Sequence, residues 1–153
     1  MRFCSIASGS SGNCIYVGSD NTHVLVDIGI SGKKMETGLN SLELTGRDLD
    51  GILITHEHSD HIKGLGVISR KYGIPIYATA GTVDAMVRTN ALGKIPEGIF
   101  HEIQEDEPFM INDLKVNPFT IPHDAAQPVG YRLEHEGHSV GIATDLGKYN
   151  DYI

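Results

Sequence analysis

The feature that most constrains this chain is residues 51–61, GILITHEHSDH, where a short apolar run leads directly into histidines and acids. The run is rich in β-branched residues and begins at a glycine, which predicts a short buried strand. Alternate side chains of an extended chain point the same way, so His56, His58 and Asp60 should project to one side. His61 is out of phase with them, and we therefore predict a turn that brings its ring back to the others.

The turn at the end of this strand is also predicted to start a helix. Asp60 stands at the position of a helix N-cap, ahead of an apolar pattern over residues 62–72. Imidazole and carboxylate groups clustered on such a turn predict a metal site, and they suit zinc, manganese or iron. The alternative is a pair of surface histidines beside a capping aspartate. The zincin pattern is excluded, because Asp60 follows His56 where that pattern has a second histidine.

Length and composition set broad limits on the fold. A chain of 153 residues, 40% hydrophobic and 21% charged, predicts one globular domain over residues 1–153. No apolar run is long enough to cross a bilayer, and the first residues do not form an export signal, so we expect a cytoplasmic protein that does not bind a membrane. The two cysteines, Cys4 and Cys14, are too few for a disulfide framework and are expected to be small buried residues.

The charge of the chain limits how it could bind nucleic acid. A formal net charge of −8 argues against a generic basic surface for nucleic acid. It does not exclude a phosphodiester substrate, because two divalent ions carry a combined charge of about +4 and dominate the local field. DNA therefore remains open as a substrate whose phosphate is held at a metal site.

Strand and helix patterns alternate along much of the chain. The predicted order is three strands, a helix, the metal strand, a helix, a strand, a helix and then strands. We expect helices over residues 32–44, 62–72 and 81–92. Hairpins are expected over residues 109–116, around an Asn-Asp turn, and over residues 130–143. This order predicts a fold of the α/β or α+β class.

Two isolated residues are candidates for further metal ligands. His123 follows a predicted strand in the segment IPHDA, and Asp145 ends another in ATDLG. We predict His123 as a metal ligand, the alternative being a polar loop histidine. An ionised Asp145 could bridge two metals, the alternative being an Asx turn before Gly147. The other histidines are interpreted as surface residues: His23, His101, His135 and His138.

Two residues near the N-terminus could support such a site. Asp27 ends a buried apolar strand, where a carboxylate needs partners, and we predict that it hydrogen-bonds to the metal loop without touching the metal. Asn13 closes the Gly/Ser turn of residues 8–13. The backbone N–H groups of that turn and the Asn13 amide could bind a phosphate oxygen of the substrate. The alternative is a plain hairpin turn.

Several of these segments are similar to one known family. The pattern His-x-His-x-Asp-His over residues 56–61 resembles the metallo-β-lactamase superfamily, and residues 8–13, 26–34 and 122–126 resemble its YycJ/WalJ branch. The resemblance implies an αββα four-layer sandwich and a cytosolic hydrolase with two divalent metals, assigned to DNA as a 5′-to-3′ exonuclease. It implies these ligands: His56, His58 and His123 for the first metal, Asp60 and His61 for the second, and Asp145 as the bridge.

The family pattern also includes a histidine from a C-terminal segment that this sequence does not contain. The resemblance therefore implies a fold that is incomplete at the C-terminus, with a weakly held second metal. We expect the second sheet to expose an apolar face, which a second copy of the chain could cover.

The expected chemistry is hydrolysis by a metal-activated water. Asp60, beside that water, is predicted to orient it and to accept its proton. The same metal loop serves other hydrolases, so a lactonase or thioesterase acting on a small ester is an alternative. A metal-binding fragment without activity is a further alternative.

Overall fold

The computed structural model describes residues 1–143, which form ten strands, four α-helices and a short 3-10 helix. The strands are β1 Arg2–Ala7, β2 Cys14–Gly18, β3 His23–Val26, β4 Gly51–Leu53, β5 Ile76–Thr79, β6 Phe100–Ile103, β7 Phe109–Ile111, β8 Leu114–Thr120, β9 Val129–His135 and β10 His138–Ile142. The helices are α1 Gly32–Ser41, α2 Ser59–Ile62, α3 Leu65–Tyr72 and α4 Ala80–Arg88, and the 3-10 helix is Gly46–Asp48. Asp145, predicted as the bridging ligand, lies outside the described residues.

The strands form two sheets. The first sheet has the order β1-β2-β3-β4-β5-β6. Its first three strands pair antiparallel, and β3, β4, β5 and β6 pair parallel. The second sheet is antiparallel throughout and has the order β10-β9-β8-β7. Parallel neighbours require crossover connections, and helices supply these along the first sheet.

Two apolar cores hold the layers together. On β3, Leu25 packs in the core that joins the first sheet to the helices, whereas Val24 and Val26 pack in the core between the two sheets. Met35 of α1 belongs to the first core and Leu133 of β9 to the second. Because both faces of β3 and β4 are covered, their sequences are almost continuously apolar.

Residues 1–143 supply three of the four layers of an αββα sandwich: a helical layer, the first sheet and the second sheet. Within this range, no helical residue packs in the core between the sheets. Polar residues occupy outward positions of the second sheet, including Lys115, Asn117, Arg132 and Glu134. The large apolar face expected from the sequence is therefore not seen along β8 and β9 of the described chain.

The strand ends bring the predicted metal residues to one edge of the first sheet. Because β3 and β4 run parallel, Asp27 after β3 and His56 after β4 emerge at the same edge. The second sheet reaches this edge too, since Val129 N donates to Thr55 O at 3.0 Å and Tyr131 Oη donates to the carbonyl oxygen of residue 54 at 2.7 Å. The connection between β8 and β9, residues 121–128, thereby lies beside the metal motif.

The helix after the motif differs from the prediction. It is divided into α2 and α3, and α2 has His58 as its N-cap, so the prediction of Asp60 as the cap was wrong. Asp60 instead lies in the first turn of α2. The division falls at Gly64, whose N–H donates to Ile28 O at 2.8 Å. This contact draws the helix start towards the end of β3.

The other two predicted helices end earlier than expected. The end of α1 at Ser41 is followed by Glu43, which has a φ of 63°, and the end of α4 at Arg88 is followed by Asn90, which has a φ of 54°. A left-handed residue just after a helix terminates it. Among residues 1–143, no helix is both long and apolar enough to cross a membrane.

Candidate metal centre

Three histidine rings from two separate parts of the chain converge at this edge. His56 and His58 come from the motif after β4, and His123 comes from the connection between β8 and β9. One ring nitrogen of each lies within 4.8 Å of the other two. His123 Nε2 and His58 Nδ1 are 3.3 Å apart. The structure thus brings together the three residues that were predicted to hold the first metal.

The spacing of these nitrogens fits a single tetrahedral ion. Two ligands bonded at about 2.0–2.1 Å to a tetrahedral zinc lie about 3.3 Å from each other. The separation between His123 Nε2 and His58 Nδ1 has this value. Since the nitrogen of His56 lies within 4.8 Å of both, modest rotations of the rings would bring all three to ligand distance. The residues present therefore fit a divalent ion.

The protonation state of His56 also suits a metal ligand. Burial, followed by repulsion from the charge of His61, lowers the pKa of His56 to about 4. The imidazole of His56 is consequently neutral near pH 7, which is the form in which histidine binds a metal.

Asp60 and His61 form a second pair of donors beside the three histidines. His61 Nε2 lies 3.4 Å from Asp60 Oδ2. The ring centroids of His61 and His56 are 4.0 Å apart, so the second pair adjoins the first group. His61 is buried and Asp60 is half-buried at the start of α2. An imidazole nitrogen and a carboxylate oxygen at this separation could hold a second divalent ion.

Asp27 is the buried anion that orients His61. It is 0% exposed and adopts a φ of 64° directly after β3. Asp27 Oδ1 accepts a hydrogen bond from Thr55 N at 2.8 Å, and Oδ2 accepts from Thr55 Oγ1 at 2.7 Å and from His61 Nδ1 at 2.6 Å. Because Nδ1 of His61 donates to the carboxylate, Nε2 presents its lone pair towards Asp60.

Thr55 links the carboxylate of Asp27 to His56 and so fixes the tautomer of that ring as well. The only hydroxyl hydrogen of Thr55 goes to Asp27, so its oxygen accepts the hydrogen bond from His56 Nδ1, at 3.0 Å. The ring lone pair of His56 that can bind a metal is then on Nε2. The carboxylate of Asp27 thus sets the tautomers of two rings, directly in His61 and through Thr55 in His56.

Asn13 ties the N-terminal turn to the metal motif. Its Nδ2 donates to Gly9 O at 3.0 Å and to Asp60 O at 3.2 Å, and it lies 3.3 Å from His61 Nε2. Asn13 is 8% exposed. Its amide hydrogens are therefore directed at protein acceptors, and the role in substrate binding inferred from the sequence stays a prediction.

Gly29 allows the segment after β3 to lie directly on the motif. A Cβ at this position would stand 1.7 Å from Asp60 O. Gly29 N donates to Asn13 O at 2.7 Å, and Asn13 N donates to Asp60 O at 2.8 Å. The backbone around Asp60 is thus fixed from two sides, by the N-terminal turn and by the segment after β3.

Sequence reasoning missed three of these residues: Thr55, Glu57 and Gly29. Thr55 and Glu57 flank His56 in the motif, and their position next to a predicted ligand could have marked them as supporting residues. The partner of Glu57 is the N–H of Ala126, 69 positions further along the chain, at 3.0 Å from Oε2. Such a contact cannot be inferred from the spacing of residues in the sequence.

The remaining described histidines stand outside the metal-binding group. His101 and His138 are exposed, as predicted. His23 is half-buried, with its Nδ1 at 2.6 Å from Tyr16 Oη. His135 is also half-buried, and its Nδ1 donates to the carbonyl of residue 113 at 3.2 Å.

Comparison with known families identifies a match over most of the chain. The family described as "Beta-lactamase superfamily domain" has a model that matches residues 22–153. This range contains the motif of residues 56–61 together with Asp27 and His123.

Two curated relatives match almost the full chain. It is 42% identical over 151 residues to the "Exodeoxyribonuclease YycJ" of Bacillus anthracis. It is 40% identical over 151 residues to the "Exodeoxyribonuclease WalJ" of Streptococcus pneumoniae. Each alignment covers 99% of this chain and 56% of the relative. The chain therefore spans about half the length of the curated relatives it matches.

Solved structures share the architecture. MEM-A1, a subclass B3 metallo-β-lactamase isolated from a soil metagenome library, superposes with a TM-score of 0.70 at 20% sequence identity. The match covers 91% of this chain and 58% of that chain. Likeness at this level of identity shows a common fold and carries no information on the substrate. The fold class expected from the sequence is confirmed.

Proposed function

Because this chain belongs to the metallo-β-lactamase superfamily, we propose that it acts as a metal-dependent hydrolase on the phosphodiester bonds of DNA, in the manner of a 5′-to-3′ exonuclease. The observation that carries the proposal is the convergence of His56, His58 and His123 next to Asp60 and His61. The names of the two curated relatives support DNA as the substrate class. We propose a cytoplasmic location for this activity, as expected from the sequence.

The proposed ligands divide into two groups. His56, His58 and His123 would hold the first divalent ion, and Asp60 and His61 would contribute to the second. Asp145 is proposed as the bridge between them on the resemblance alone, because it lies outside the described residues. Nitrogen and carboxylate donors suit zinc best among the common ions, with manganese or iron as the other candidates.

Divalent ions at this centre would supply Lewis acidity, lowering the pKa of a water and offsetting negative charge on the phosphate. The protein's own groups then have separate tasks. Asp60 is half-buried, so its carboxylate can reach both the centre and the solvent. We assign it the orientation of the attacking water and the acceptance of its proton.

The buried groups next to the metal centre hold the histidine rings in the tautomer that binds a metal ion. Asp27 holds His61 with Nδ1 protonated, and Thr55 does the same for His56. Rings locked in this way lose little freedom when they bind an ion. Asn13 keeps the turn of residues 9–13 against Asp60, and through that turn it would place backbone N–H groups near a substrate phosphate.

Two properties of the whole chain remain part of the proposal. We propose that residues 1–153 belong to one domain and that a second copy of the chain could cover the face of the second sheet that points away from the first sheet. The polar residues on β8 and β9 favour a weak association over a permanent one. Sedimentation of the purified chain at several concentrations would measure this.

The function is tested by supplying phosphodiesters, a lactone and a thioester to the full chain loaded with Zn²⁺ or Mn²⁺. Cleavage of bis-(p-nitrophenyl) phosphate and of end-labelled double-stranded DNA, with products released from the 5′ end, is the expected result. His58→Ala and Asp60→Asn should abolish both activities. Glu97→Ala changes an exposed carboxylate and serves as the control.

The alternatives predict different outcomes in the same assay. Hydrolysis of a lactone or thioester in preference to the phosphodiesters would favour the small-ester hydrolase. Zn²⁺ binding without hydrolysis of any substrate would favour a metal-binding fragment and would refute the proposed activity for this chain.

A further inference from the structure

The segment that carries His123 is attached to the metal motif through Glu57. Residues 121–128 connect β8 to β9 and cross from the second sheet to the edge of the first. The N–H of Ala126 donates to the Glu57 carboxylate, at 3.0 Å from Oε2 and 3.4 Å from Oε1. A hydrogen bond to a carboxylate is about twice as strong as one between neutral groups. Glu57 therefore links the motif directly to the segment of the third histidine.

The same segment is anchored on its other side by Gln127. The carbonyl of Gln127 accepts hydrogen bonds from Thr79 Oγ1 at 2.9 Å and from Thr82 Oγ1 at 3.3 Å. Its side-chain Oε1 accepts from Gly81 N at 2.8 Å. These groups belong to the start of α4, so the C-terminal part of the segment is fixed to a rigid element.

The attachment by Glu57 has a local structural reason. Glu57 lies between His56 and His58 in the sequence, and alternate side chains of an extended chain point to opposite sides. The Glu57 carboxylate is not part of the group of ligand atoms formed by His56, His58 and His123, although it stands on the same short piece of backbone. It can hold Ala126 in place without competing with the histidines for a metal.

We propose that Glu57 is a positioning residue that clamps residues 121–128, with Gln127 as the fixed anchor, so that the rings of His123 and His58 stay close enough to bind one metal ion. The inference rests on the proposed metal site and extends it. His123 comes from a connection between strands, whereas the other two histidines follow directly from the end of β4. The separation of 3.3 Å between His123 Nε2 and His58 Nδ1 is the quantity that the clamp controls.

Zn²⁺ affinity of the full chain, measured by competition with a chelating dye, tests the clamp without relying on activity. Glu57→Ala should weaken binding at the three-histidine site about tenfold, the scale expected for the loss of one hydrogen bond to a charged group. Glu57→Gln keeps an acceptor for the Ala126 N–H and should stay within about threefold of the wild type. Glu97→Ala is the matched control, since it removes an exposed carboxylate elsewhere.

A double-mutant cycle separates positioning from a general effect on the fold. If Glu57 acts through His123, then Glu57→Ala should have no further effect on Zn²⁺ affinity in a chain that already carries His123→Ala. The visible absorption of the Co²⁺-loaded chain should be weaker in Glu57→Ala than in the wild type, because fewer Co²⁺ ions are held in tetrahedral coordination. In the absence of metal, the unfolding midpoint of Glu57→Ala should match that of Glu97→Ala.

Each other outcome has a definite meaning. Equal Zn²⁺ affinity of Glu57→Ala and wild type, or additive losses in the cycle, would overturn the clamp and leave the proposed metal site standing. A wild-type chain that binds no Zn²⁺, or whose affinity does not depend on His58, would overturn the metal site and the clamp with it.

Discussion

Asp27 accepts a hydrogen bond of 2.6 Å from His61 Nδ1 in the interior of the protein, where both side chains are almost fully removed from solvent. Asp27 makes this contact from a left-handed backbone conformation with a φ of 64°. A non-glycine residue in that conformation costs about 1 kcal/mol or more, and aspartate is among the residues that tolerate it best. The conformation aims the carboxylate at both Thr55 and His61.

Asp27→Asn should weaken the second metal more than the first. The amide offers only one acceptor oxygen, so it cannot accept all three hydrogen bonds that Thr55 N, Thr55 Oγ1 and His61 Nδ1 donate to the carboxylate. If the amide nitrogen faces His61, the ring must give up its proton at Nδ1 and carry it at Nε2, where the ligand lone pair is needed. We expect the affinity for the second ion to fall about 10- to 100-fold, measured by Zn²⁺ or Mn²⁺ titration.

Asp20→Asn is the matched control for this substitution, because Asp20 is an exposed aspartate in the turn before β3. It should leave both affinities unchanged. Unchanged affinity in Asp27→Asn would mean that the buried carboxylate holds the loop together without setting the ring tautomer.

The sequence was sufficient to predict those features that depend on local chemistry. The strand β4 and the side chains that follow it were predicted because the apolar run and the ligand types lie within 11 consecutive residues. Asp27 was identified because an ionisable group at the end of a buried strand must find partners. His123 was selected because a histidine directly after a strand fits a ligand set in which other members were already present.

Contacts between distant backbone segments could not be predicted in this way. The approach of Gly29 to Asp60 and the bond from Ala126 to Glu57 join parts of the chain that no local pattern relates. The same holds for Gly64, whose bond to Ile28 separates α2 from α3. The spacing of apolar residues indicates which face of a helix is buried. It does not indicate where a backbone N–H donates to a neighbouring strand end and so interrupts the helix.

Gly29→Ala should destabilise the protein by disturbing the backbone of Asp60. The added Cβ would stand 1.7 Å from Asp60 O, and a backbone atom cannot move aside as a flexible side chain can. We expect a loss of about 1–3 kcal/mol in the free energy of unfolding, measured with urea, and weaker binding of the second ion.

Gly32→Ala provides the comparison. Its added Cβ would lie in a helix and would meet only side-chain atoms, Ile68 Cδ1 at 3.2 Å and Val67 Cγ1 at 3.4 Å. It should change the free energy of unfolding by less than about 1 kcal/mol. Equal stability of the two variants would show that the segment after β3 can move away from Asp60.

Cys14 should resist alkylation in the folded protein, whereas Cys4 should react. Burial, aided by the negative charge of Asp27, raises the pKa of the Cys14 thiol. Since the thiolate is the reactive form, almost none is present on Cys14 at pH 8. Mass spectrometry after iodoacetamide treatment should show one label under native conditions and two in guanidinium chloride. Equal labelling rates of the two native cysteines would contradict the buried position of Cys14.

The final prediction concerns the order in which metals bind. Three histidines converge on the first position, whereas the described residues offer only Asp60 and His61 to the second. Because more ligands of fixed geometry bind an ion more tightly, Zn²⁺ titration should show a tight step and a weak step. His123→Ala should remove the tight step, and Asp60→Asn should affect chiefly the weak one. Removing the metal with a chelator should also lower the unfolding temperature, since an ion at about 100 times its dissociation constant stabilises the folded state by about 2.7 kcal/mol. Two equally tight sites in a monomeric chain with full phosphodiesterase activity would show that the predicted order of metal binding is wrong.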